Sequence, residues 1–117
     1  MYRVIFWRPR PGTQVWSPPE FPLGETIRKD VLSGLDSVYL EPIEGSKMLE
    51  RLKTVFANSH VDNEGNLHWS DESDNGFIAG YGAKFVEVVS FDMDDDDLDK
   101  VFGVAEEFDC DLYDWGN

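Results

Sequence analysis

The rhythm of apolar and polar positions changes several times along the chain, and each change marks an element. Tyr2-Arg3-Val4-Ile5-Phe6-Trp7 is β-branched and aromatic, and apolar on both faces beyond Arg3. That composition predicts a strand lying in the interior of a sheet. Pro9 and Pro11-Gly12 end it. Five of the six prolines (Pro9, Pro11, Pro18, Pro19, Pro22) then fall within residues 9–22 and predict an extended irregular loop. Gly24-Glu25-Thr26 opens a short helix carrying Ile27, Val31, Leu32 and Leu35, which Gly34 stops. Ser37-Val38-Tyr39-Leu40 reads as a short edge strand ahead of Pro42.

A stronger helix follows, with Ser46 as the expected cap and Met48, Leu49, Leu52, Val55 and Phe56 on one stripe. It should fray near Asn58-Ser59. Asp62-Asn63-Glu64-Gly65-Asn66 is a turn, Leu67-His68-Trp69 a brief strand, and Ser70 to Gly76 a polar acidic loop. Phe77 to Tyr81 and Lys84 to Phe91 form a hairpin about Gly82-Ala83. Asp94 or Asp95 caps a second helix, where Leu98, Val101, Phe102, Ala105 and Phe108 recur at helical spacing. Asp111 to Trp115 is a final short strand. The order predicts an α+β fold. It is a ferredoxin-like βαββαβ sandwich with a four-stranded antiparallel sheet, two main helices and a Pro-rich insertion after the first strand.

Length adds that residues 1–117 make one domain. With 41% hydrophobic and 14% aromatic residues the chain has too much apolar material for disorder. No run approaches the roughly 18 apolar residues of a membrane helix, and no cleavable leader is evident in Met1 to Arg10. A cytoplasmic location is therefore expected, and the single cysteine excludes an intramolecular disulfide.

Charge changes the picture most. Residues 1–60 carry eight bases and seven acids, whereas residues 61–117 carry two bases and 17 acids. The net charge of −14 opposes direct binding to nucleic acid or anionic membrane, which share its sign. Such a field suits a positively charged protein partner, although simple solubility would also account for it.

Candidate chemistry is sparse. Read from Asp92, the acidic run has Asp97 where a calcium loop needs Gly and Gly103 where it needs Glu, so that pattern fails. An Asp92–Asp94 metal clamp is weaker than the solvated helix start that the same residues make. His60, His68 and Cys110 lack zinc-ligand spacing. Cys110 sits between Asp109 and Asp111, whose charge suppresses the thiolate, so it is a poor nucleophile. Gly80-Tyr81-Gly82-Ala83-Lys84 lacks the spacing of a phosphate loop. No catalytic residue, metal site or cofactor is expected. Trp69 beside Asp71, Glu72 and Asp74, and Trp115 beside Asp114, place an aromatic next to acids, as protein interfaces do. Core packing of either indole is an equal alternative.

The segments MYRVIFWRP, MLERLKTVF, GFIAGYGAKFVEVVSF and DLDKVFGVAEEFDCDLYDW resemble a set of small bacterial proteins that includes immunity proteins of polymorphic toxin systems, of the contact-dependent inhibition and Rhs types. The likeness spans residues 1–8 and 46–115. The ending Tyr113-Asp114-Trp115-Gly116 departs from the commoner Tyr-Asp-Pro-Gln, and the Pro-rich insertion has no counterpart. The resemblance implies a non-enzymatic protein, a monomer or weak dimer, that neutralises a cognate basic toxin domain. The expected partner-binding residues are Trp69, Asp71, Glu72, Asp74, Asp94, Asp95, Asp96, Asp97 and Trp115. A nucleic-acid mimic that inhibits a DNA-binding protein, and a small-molecule-binding or regulatory domain using an open sheet face, remain as alternatives.

Overall fold

The computed structural model describes residues 2–8, 10 and 40–116, with side chains described as far as Leu112. Six strands form one antiparallel sheet: β1 (Tyr2–Trp7), β2 (His60–Val61), β3 (Leu67–Ser70), β4 (Gly76–Tyr81), β5 (Val86–Phe91) and β6 (Asp111–Gly116). Their order is β2-β3-β4-β5-β1-β6, and the sheet is not closed. Two helices are described, α1 (Gly45–Val55) and α2 (Asp95–Glu107).

The four strands expected from the sequence occupy consecutive places, β4-β5-β1-β6. The expectation of only four is corrected to six. The reason lies in the polar runs on either side of Leu67. The run before Leu67 closes as the expected turn and the run after it closes as a tight turn rather than a loop, so His60-Val61 pairs with β3 and β3 pairs along its whole length with β4. The expected Pro-rich loop beyond Arg10, the short helix near Gly24 and the strand over residues 37–39 lie outside the described residues.

Strand β1 is interior, between β5 and β6, as its two-faced apolar sequence requires. Val4 and Phe6 enter the main core with Leu67, Phe77, Ala79, Val86 and Val88. Met48, Leu49 and Leu52 of α1 and Val101, Val104 and Ala105 of α2 belong to that same core, so both helices cover one face. Ile5, Trp7 and Leu40 are also fully buried but lie outside this cluster, which makes β1 apolar on both sides.

Helix capping differs between the two. Helix α1 starts at Gly45, a residue before Ser46, and has no side-chain cap, which corrects the expected Ser46 cap. The Gly45 Cα lies against Tyr81, where an added Cβ would come within 2.7 Å of that side chain. Helix α2 is capped by Asp94, whose carboxylate accepts from the Asp97 N–H at 2.8 Å. Asp95, Asp96 and Asp97 complement the positive end of its dipole. At the far end α2 has no base of its own. Arg8, just past β1, supplies one, donating to the Phe108 carbonyl. No helix among the described residues is long and apolar enough to cross a membrane.

Candidate functional site

Sheet register decides which acids meet. Gly76 at the start of β4 pairs with Phe91 at the end of β5. This places the β3–β4 turn beside the connection from β5 to α2. The first turn holds Asp71, Glu72 and Asp74, and the second segment holds Asp92 and Asp94 to Asp97. Arg3 pairs with Gly116 and Tyr2 with Ser90, so β6 also finishes at this end. The sequence-derived candidates therefore gather at one end of the sheet, though they come from three separate stretches. For Trp115 only the backbone in β6 is described.

Several acids elsewhere are partnered. Glu107 pairs with Arg51, Asp62 with His68, Glu44 with Lys47 and Glu41 with Arg8. At the acidic end only Asp97 forms an ion pair among the described residues, with Lys100 at 3.4 Å. Asp71, Glu72, Asp74, Asp92, Asp94, Asp95 and Asp96 are all exposed. Glu64, Glu106, Asp109 and Asp111 are exposed at the other end with no ion pair among the described residues, so unpaired charge is gathered at this end without being confined to it.

The acids there do different work. Asp62-Asn63-Glu64-Gly65-Asn66 and Asp71-Glu72-Ser73-Asp74-Asn75 are two copies of one turn. In the first, Asp62 Oδ1 accepts from the N–H groups of Glu64 (2.9 Å) and Asn66 (3.0 Å). In the second, Asp71 Oδ1 accepts from Ser73 (2.8 Å) and Asn75 (3.1 Å). The main chains match as well: Asp62 N–H donates to the Asn66 carbonyl at 2.9 Å and Asp71 N–H to that of Asn75 at 2.7 Å. Such a carboxylate imitates a backbone turn and holds it. Asp71 therefore shapes the hairpin, and Asp94 caps the helix. Among the described residues, Glu72, Asp74, Asp92, Asp95 and Asp96 accept no such bond. The fourth position of each turn is left-handed, Gly65 at φ +83° and Asp74 at φ +63°. An acid thus occupies a backbone conformation that glycine takes in the sister turn.

Trp69 is half-buried on the helix-covered face. Its ring lies 4.7 Å from that of Phe56 and 6.0 Å from that of Phe77, measured between centroids. Most of the indole is therefore committed to the rim of the core.

Two residues that sequence reading left aside border the same region. His60 and His68 face each other across β2 and β3, with ring centroids 5.2 Å apart and planes 9° from parallel. His68 Nε2 lies 2.6 Å from Asp62 Oδ2. That contact, with the Asn66 N–H, holds the Asp62 carboxyl below its usual range. An open cleft of ≈ 220 Å³ adjoins the pair, with Ser70, Asp74, Ile78 and Phe91 among its walls. Alternation on a two-residue strand is too short to signal this pairing in the sequence.

Cys110 is buried at the opposite edge of the sheet from the histidines. Burial, followed by the charges of Asp111 and Asp109, pushes its thiol up, against the opposing effect of Arg8. Among the described residues no three His, Cys, Asp or Glu side chains converge as a metal site. Comparisons with models of protein families, with curated proteins and with solved structures return no match.

Proposed function

We propose that this protein is a non-enzymatic immunity protein of the cytoplasm that binds a cognate basic toxin domain and occludes its cleft. The observation that carries the reading is the end of the sheet at which exposed carboxylates from the β3–β4 turn and the α2 start stand together, nearly all without ion-pair partners. Toxins that act on nucleic acid or nucleotides present basic clefts. A carboxylate-rich end is attracted to such a cleft at long range, raising the association rate roughly 10–10³-fold in a salt-dependent way. The resemblance of the quoted segments to immunity proteins supports the same reading. So does the order β4-β5-β1-β6 with both helices on one face, which we assign to a ferredoxin-like core extended by β2 and β3.

Glu72, Asp74, Asp92, Asp95 and Asp96 are the acids free to meet the partner, with Asp71, Asp94 and Asp97 contributing charge from fixed positions. Trp69 and Trp115 are assigned to the contact as apolar neighbours of those acids. The test is co-purification with the product of the adjacent gene. A 1:1 complex is expected, with an association rate that falls steeply as salt rises. A salt-independent rate, or no complex, overturns the reading. Competition with DNA for several unrelated basic proteins would instead identify a nucleic-acid mimic.

A further inference from the structure

The cleft beside β2 and β3 has features that the general attraction of an acidic surface does not use. Its volume, ≈ 220 Å³, is below the roughly 300–1,000 Å³ of sites for drug-sized molecules. It is of a size for one long side chain. No lysine or arginine lines it, and Asp74 is its acid. Much of the remaining wall is aromatic: the parallel imidazoles of His60 and His68, and Phe91, which is 38% exposed. The contact between His68 and Asp62 fixes one of those rings in place.

We propose that this cleft receives an arginine side chain of the basic partner, an inference that rests on the reading above. A guanidinium is planar and weakly hydrated, so it stacks on aromatic faces while its edge donates to a carboxylate. Asp74 supplies that carboxylate and Ser70 a further acceptor. An ammonium group satisfies the charge but leaves the ring faces without a flat partner. Phosphate or carboxylate ligands are repelled by Asp74.

The test is an amide NMR titration of the full chain with N-acetyl-arginine amide and with its neutral isostere, N-acetyl-citrulline amide. Both are run on the wild type and on Asp74→Asn, since Asn tolerates the left-handed backbone and keeps the hairpin. The arginine compound is expected to shift the Ser70, Gly76 and Phe91 amides saturably and to bind at least about fivefold tighter than citrulline. In Asp74→Asn that difference should disappear. Equal binding of the two compounds, a difference that survives in Asp74→Asn, arginine-specific shifts confined to Asp94–Asp97, or no saturable response overturns the inference. The two readings fail separately. Loss of the cleft result leaves salt-dependent toxin binding standing, whereas arginine-specific binding without any complex with the adjacent gene product removes only the toxin.

Discussion

Arg51 of α1 and Glu107 of α2 form a two-pronged pair, with Nε 2.9 Å from Oε2 and the second guanidinium nitrogen 3.1 Å from Oε1. The pair joins the two helices across the face they share and brings a cation to the C-terminal end of α2. Hydrogen bonding to Arg51 holds the Glu107 carboxyl below its usual range. A lowered folded-state value means that this stabilisation is fully present above the unfolded value and is lost as pH falls through the folded one. Asp62, lowered mainly by its bond to His68, follows the same sign. The melting temperature of the wild type should therefore fall as pH drops below roughly 4. Glu107→Gln should melt slightly lower than the wild type at neutral pH, with a gap that narrows in acid and in high salt. A gap unchanged by acid would show that the charge of Glu107 contributes nothing.

Among the described glycines, Gly76 has the least room for a side chain. A Cβ there would lie 1.9 Å from the Trp69 carbonyl oxygen and 2.7 Å from the Ser70 Cα, both main-chain atoms that no rotamer change can move. Gly76→Ala should cost about 3 kcal/mol, the upper part of the usual range for overpacking. Urea denaturation measures it.

The twin turns separate structural from available acids. Asp71→Ala removes the acceptor of two backbone N–H groups and should lower stability by about 1 kcal/mol. Glu72→Ala, one residue along, should stay within about 0.5 kcal/mol of the wild type. Equal effects in urea denaturation would contradict this division between turn-forming and available acids.

At the start of α2, Asp94→Ala should cost about 1 kcal/mol through loss of the cap. Asp95→Asn with Asp96→Asn should cost less, because their dipole contribution is exposed and screened by salt. In the toxin-binding assay the order reverses: the double variant should slow association more than the cap variant, by stopped-flow measurement at low salt.

Cys110 should be inert in the folded protein. Its thiol is buried and pushed up, so reaction with a disulfide reagent at mildly alkaline pH should be slow and should accelerate sharply on unfolding in urea. Rapid reaction of the native protein would contradict its burial.

Much of this architecture was legible because strong periodicities are local. The two-sided apolar run Val4 to Trp7, the stripe Met48-Leu49-Leu52-Phe56 and the Asp94 cap each state their own role within a few residues. Strand β2 was not legible, since two exposed residues acquire strand character only by pairing with Leu67 and His68. The close approach of Gly45 to Tyr81, which is remote in sequence, was likewise invisible. For the candidate site, the identity of the acids could be read and their gathering could not, because Gly76 meeting Phe91 is a matter of register. The division between turn-forming and available carboxylates was likewise hidden until the backbone donors around Asp71 were in place.

The duplicated Asp-to-Asn turn has a consequence for how this surface can change over time. Each turn is closed by its first and last residues together with a tolerant fourth position, so the second and third positions answer to nothing inside the hairpin. Under the immunity function proposed above, Glu72 and Ser73 can change to follow a changing partner while the sheet beneath keeps its shape. Rapid renewal of specificity is thereby separated from the risk of unfolding.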